Sequence, residues 1–214
     1  MKCILCNQRK AKRLCPAKGG LICAQCCGEK RVLQIECPEN CGYLKAARER
    51  ELADHSKRLQ NMDPGDQGRN KKALQDYGDV IAHLEYVLAH YRLSVRSLKD
   101  KDVIRAADVL LSTYRTEDKG ILYENSSDDL RIESLRRELH KVVESYRNPQ
   151  GAEGNAILDP KNNRLPLRAA IDCMGYLRSM AAAYLQDRRS DSGYLDFLAR
   201  MVPREEKRRS IVLP

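Results

Sequence analysis

Residues 3–41 read CILCNQRKAKRLCPAKGGLICAQCCGEKRVLQIECPENC, and eight of the chain's nine cysteines lie inside this stretch. Only Cys173 falls outside it. A segment this short cannot bury enough apolar surface to fold by hydrophobic contacts alone. Its apolar residues (Ile4, Leu5, Leu14, Leu21, Ile22, Val32, Leu33 and Ile35) make a thin core. It needs staples. In a secreted chain such a cluster would read as disulfides. Here Cys3 and Cys6 interrupt the N-terminus and no apolar signal region follows, so metal is the expected staple and the cytoplasm the expected location.

The spacing sharpens that reading. Two CxxC pairs, Cys3–Cys6 and Cys23–Cys26, stand sixteen residues apart. A CxxC turn lets two sulfurs meet one metal at about 2.3 Å, and two turns complete a tetrahedron. Cys3, Cys6, Cys23 and Cys26 form the first expected site. Cys15, Cys27, Cys37 and Cys41 remain, the right number for a second, and Cys37-Pro38-Glu39-Asn40-Cys41 reads as a knuckle. Cys41 also opens a helical stretch, whose N-terminus favours a thiolate. Four protein ligands leave no open position for water or substrate, so both ions are expected to be structural zinc. Four cysteines would also suit an iron–sulfur cluster, but paired knuckles favour zinc. No thioredoxin-like strand–helix unit surrounds either CxxC.

CILCNQRKAKRLCP followed by ICAQC resembles the start of HIT-type zinc fingers and, more loosely, MYND-type fingers. The shared features are the opening CxxC, a gap of eight, Cys15-Pro16, and a second CxxC behind the apolar Ile22. The likeness covers residues 3–41 only. It implies two zinc ions in an interleaved cross-brace and a role in protein–protein interaction within larger assemblies. Two features depart from it. Ala17-Lys18-Gly19-Gly20 stands where such fingers carry another cysteine, and no histidine precedes His55. Cys27 and Cys37 are expected to supply the missing ligands.

Beyond the cysteines the chain reads as helical. Residues 42–62 are rich in Ala, Leu, Arg and Glu with a narrow apolar face, which predicts a connecting helix. Asp63-Pro64-Gly65-Asp66 and Gly68 predict a loop over 63–72. Leu74, Tyr77, Ile81, Leu84, Leu88, Tyr91, Val95 and Leu98 then follow alternating steps of three and four, an a/d seam. Further helices are expected over 102–116, 127–147, 166–188 and 191–201, the second of these opened by Ser126, Ser127 and Asp128. The expected fold is mainly α: a two-zinc module (1–43), a connecting helix (44–62), a loop, a helical bundle (73–201) and a basic tail (202–214). Strands are expected only in the module. The seams are expected to pack within the chain, with self-association as the alternative.

Charge qualifies the choice of partner. Residues 1–60 hold thirteen Lys/Arg against six Asp/Glu, a net +7 of the chain's +9. Eight thiolates around two zinc ions carry −4, which reduces the excess to about +3. A protein partner is therefore expected, with nucleic acid as the alternative through Lys10, Lys12, Arg13, Lys18, Lys30 and Arg31. No run of about 18 apolar residues predicts membrane contact.

Catalysis is not expected. No P-loop, dinucleotide fingerprint or Ser/His/Asp arrangement is present. His83 and His90 lie seven apart and off the seam, so they are read as solvent-facing; Cys173 is read as a buried free thiol. The Ile121-Leu122-Tyr123 segment is read as an inter-helix loop, and Arg208-Arg209-Ser210 as an ordinary basic tail.

Overall fold

The computed structural model describes residues 1–149, 164–186 and 190–202. Most of the expected 148–164 loop lies outside these residues, as do Arg208-Arg209-Ser210 and the apolar end Ile211-Val212-Leu213. Two compact units result: Met1–Arg48 with Arg200–Pro214, and Glu49–Ala199.

The first unit holds a small antiparallel hairpin, β1 (Arg13–Cys15) and β2 (Gly20–Ile22), with Leu14 opposite Leu21. A short helix, α1 (Ala24–Lys30), follows, and then α2 (Gly42–Gln60) begins. Strands in this module match expectation; α1 is an addition. Cys23 caps it, its sulfur accepting the Cys26 N–H at 3.3 Å. The buried cluster here is mostly sulfur: Cys3, Cys15, Cys23, Cys26 and Cys27 with Ile22 and Ile35.

The second unit is a bundle of α3 (Pro64–Ser94), α4 (Asp100–Asp118), α5 (Leu130–Arg147) and α6 (Leu167–Leu185), followed by α7 (Gly193–Met201). α6 packs against both α3 and α4, and α5 against both as well. Contact on two sides explains why α6 buries more than its expected stripe: Ala169, Ala170, Cys173, Tyr176 and Met180 join Met174, Leu177 and Ala181. Leu84, Leu88, Leu110, Leu135, Leu139 and Leu177 are fully buried. In α4 the apolar residues at helical spacing, Val103, Ala107, Leu110, Leu111 and Tyr114, are all inside.

Two boundaries depart from the sequence expectation. The loop over 63–72 is helix from residue 64 onward. Asp63 caps α3 by accepting the Gly65 N–H at 2.9 Å, and Pro64 occupies the first turn. Proline costs no hydrogen bond there, since that N–H has no intrahelical partner. The seam also ends early. α3 stops at Ser94, leaving Val95 and Leu98 in a connector held by the Arg92 guanidinium, whose Nη1 donates to the Leu98 carbonyl at 2.9 Å. A kink at Tyr77 (φ −135°, ψ 30°) shifts the buried face, so Ala73 and Val80 are inside while Leu74 and Tyr77 are half-exposed.

Buried charge is answered locally. Glu133 accepts two 2.8 Å bonds from Arg136, which, with the Ser127 N–H, hold its carboxyl down to about 2 despite burial. Asp100 has the opposite balance. Its carboxylate accepts the N–H groups of Tyr194 (3.0 Å) and Leu195 (3.1 Å), capping α7. Burial still raises it from 3.8 to about 6, with Asp196 adding to the rise and Arg92 opposing it. A raised folded value means its contribution is fully present in acid and is lost as pH climbs through about 6. Asp100→Asn is therefore expected to flatten the fall in stability between pH 4 and 7 by up to about 3 kcal/mol. Urea unfolding of variant and wild type at each pH reads this as a difference; identical pH slopes would refute the assignment.

Candidate metal centre

The Cys3–Cys6 knuckle is built by backbone geometry. Cys3 N–H donates to the Arg9 carbonyl (2.9 Å) and Asn7 N–H to the Cys3 carbonyl (2.8 Å). Asn7 sits in the left-handed region (φ 52°), which asparagine tolerates better than most residues. This turn aims the N–H groups of Arg9 and Gln8 at the Cys6 sulfur, and those of Cys23, Leu5 and Cys6 at Cys3. Across the hairpin, Cys23 and Cys26 arrive on the cap and first turn of α1.

All four sulfurs lie within 4.8 Å of one another. A tetrahedral metal with bonds of about 2.3 Å would hold them roughly 3.8 Å apart. Cys3, Cys23 and Cys26 are buried and Cys6 is half-buried. The electrostatics are divided. Arg9 and Gln8 backbone donors lower the Cys6 thiol, and at Cys3 such donors outweigh the cost of burial. Burial raises Cys26, and the sulfurs of Cys23, Cys6 and Cys3 raise it further. Four thiolates cannot crowd together without a cation among them. A metal ion held by the four sulfurs would supply it.

Cys15, Cys27, Cys37 and Cys41 are arranged more loosely. Cys15 and Cys27 are buried, while Cys37 and Cys41 are half-buried. Burial raises Cys37, and the charges of Cys41, Cys15 and Cys27 raise it further, while the Val32 N–H lowers it. Their sulfurs do not meet the spacing of the first group, which among the described residues is the one set of four sulfurs so close. Cys41 directly precedes α2, its carbonyl accepting the Lys45 N–H at 3.1 Å.

The sequence offered no signal for Val32. It is buried at 3 % exposure with φ 61°, a conformation that a β-branched residue strongly resists. Its N–H donates to the Cys37 sulfur. The tight turn from Lys30 to Ile35, with both Gln34 and Ile35 N–H on the Lys30 carbonyl at 2.8 Å, holds it there. Ala17-Lys18-Gly19-Gly20 also finds its explanation: it is the hairpin turn. Gly19 has φ 62°, and a Cβ on Gly20 would meet Ile4 at 2.9 Å.

No family model, curated protein or solved structure matches the chain.

Other candidates resolve quietly. His83 and His90 are exposed, as expected, against Tyr146 and Tyr86. His140 meets the Tyr114 hydroxyl at 3.0 Å, and His55 meets that of Tyr184 at 3.0 Å while stacking on Phe197. Burial, with Arg58 nearby, lowers His55 to about 4. Cys173 is a fully buried free thiol, pushed up to about 12 by burial. A cleft of about 800 Å³ in the helical unit is lined by no His, Cys or Glu. Its Arg178 is paired with Asp108 (2.6 Å), and Asn70 with Ser179 (2.9 Å). No described helix is long and apolar enough to cross a membrane.

Cys26→Ser is expected to abolish metal at the first site and melt α1, whereas Cys173→Ala leaves metal content unchanged. Elemental analysis of the purified variants checks both; equal loss in each would place the metal elsewhere.

Proposed function

We propose that residues 3–41 bind two structural zinc ions in an interleaved, HIT-like arrangement, and that the protein is a non-enzymatic adaptor for a protein partner. The four-sulfur cluster of Cys3, Cys6, Cys23 and Cys26 carries this reading. Its four sulfurs would close the coordination shell and leave zinc no catalytic position. Cys15, Cys27, Cys37 and Cys41 would complete a second site once a cation draws in the thiols around Cys37. Cys15 of the second site then falls between the two knuckles of the first, which interleaves the two sites along the chain.

Adjacent Cys26 and Cys27 support the interleaving. Successive helical residues project about 100° apart, so α1 presents its two cysteines to different sides. Nine free thiols suit a reducing compartment, the cytoplasm in this proposal. A non-catalytic role is supported by the cleft, where the polar groups named above engage each other rather than standing free.

Native mass spectrometry with and without chelator tests the proposal. Two zinc ions are expected in the wild type and one in Cys37→Ser. A single ion in the wild type would restrict binding to the first site, and disulfides in place of metal would overturn it.

A further inference from the structure

Resting on the adaptor reading above, we propose that the outward face of the β1 segment docks an extended acidic stretch of a partner protein that also carries leucine-like side chains. The residues from Lys10 to Cys15 alternate in exposure. Lys10, Lys12 and Leu14 are exposed, while Ala11 and Arg13 are half-buried and Cys15 is buried. Ala11 and Cys15 belong to the sulfur-rich core and its margin. Alternate residues of a strand share a face, so Lys10, Lys12 and Leu14 form one outward stripe. An antiparallel bridge sets Lys2 beside Lys10, and Leu21 lies opposite Leu14.

The cations of this stripe have no carboxylate among the described residues. Lys2, Lys10 and Lys12 are exposed and make no ion pair among the described residues. Leu14 is 64 % exposed at the end of the stripe. Unpaired lysines about 7 Å apart along a strand match acidic residues at every second position of an extended chain. The adjoining leucines supply an apolar anchor, which a phosphate backbone would not use. Single-stranded nucleic acid is read by aromatic stacking, and the stripe itself carries no aromatic side chain, while the Tyr43 ring has the Arg13 guanidinium 5.0 Å from its centroid. Charge and shape together favour a peptide over an oligonucleotide.

The test uses the full-length, zinc-loaded protein and fluorescence anisotropy. The probes are a labelled synthetic peptide alternating glutamate with serine and ending in leucines, and labelled oligodeoxythymidine. The peptide is expected to bind more tightly than the oligonucleotide. Lys10→Glu with Lys12→Glu should weaken it about tenfold or more, and Leu14→Ser severalfold. The control pair Lys71→Glu with Lys101→Glu, on the helical unit, should leave it unchanged. Zinc is counted in every sample, so absent zinc reports failure of the finger itself rather than of this surface. Should charge reversal reduce zinc content, Lys10→Gln with Lys12→Gln replaces it and should still weaken binding. Tighter binding of the oligonucleotide, an unchanged affinity in the lysine or leucine variants, or no peptide binding by zinc-replete protein would overturn the proposal.

Discussion

Four cysteine sulfurs held within 4.8 Å of one another are the constraint on which the N-terminal unit depends. Like charges at that distance repel, and burial of three of the four removes the water that would screen them. The fold answers with backbone N–H groups aimed at Cys3 and Cys6, but these neutralise only part of the charge. A metal ion at the centre would complete the balance, and with so thin an apolar core its binding free energy would become folding free energy. Knuckle, hairpin and α1 can then be understood as supports that bring sulfur to one point. The left-handed Val32 belongs to the same logic. A strained backbone persists where its surroundings over-determine it, and here the surroundings are the turn that offers an N–H to Cys37.

The helical unit is stabilised differently. Its core mixes aliphatic side chains with the buried rings of Tyr114, Tyr176 and Tyr194, α6 touches both α3 and α4, and buried charges are matched within the unit. Glu133 with Arg136 is one such match, and Asp100 with the first turn of α7 another. The lysines beside the hairpin are exposed and carry no such match. Surface ion pairs add little stability, so their absence from the hairpin costs the fold little and leaves its lysines free to engage a partner.

Much of this was legible in the residues. The paired CxxC motifs located the sulfur cluster because ligand spacing is a local property of the chain. The α4 face was readable because its apolar residues recur at helical period. Less legible were features set by neighbours. Pro64 and Gly65 look like breakers until Asp63 is seen to cap a helix there. The wide buried arc of α6 depends on having two partners, which no single-helix pattern records. Val32 carries no local mark at all, because its conformation is imposed by the turn around it. The second set of cysteines was found by elimination, and its looser arrangement reflects the lack of any CxxC pair among its four members to fix two sulfurs at once.

The most direct measurement is X-ray absorption at the zinc edge of the purified protein. An all-sulfur shell of four ligands at about 2.3 Å is predicted. Nitrogen or oxygen in the first shell, or iron with a short iron–iron distance in place of zinc, would contradict the account.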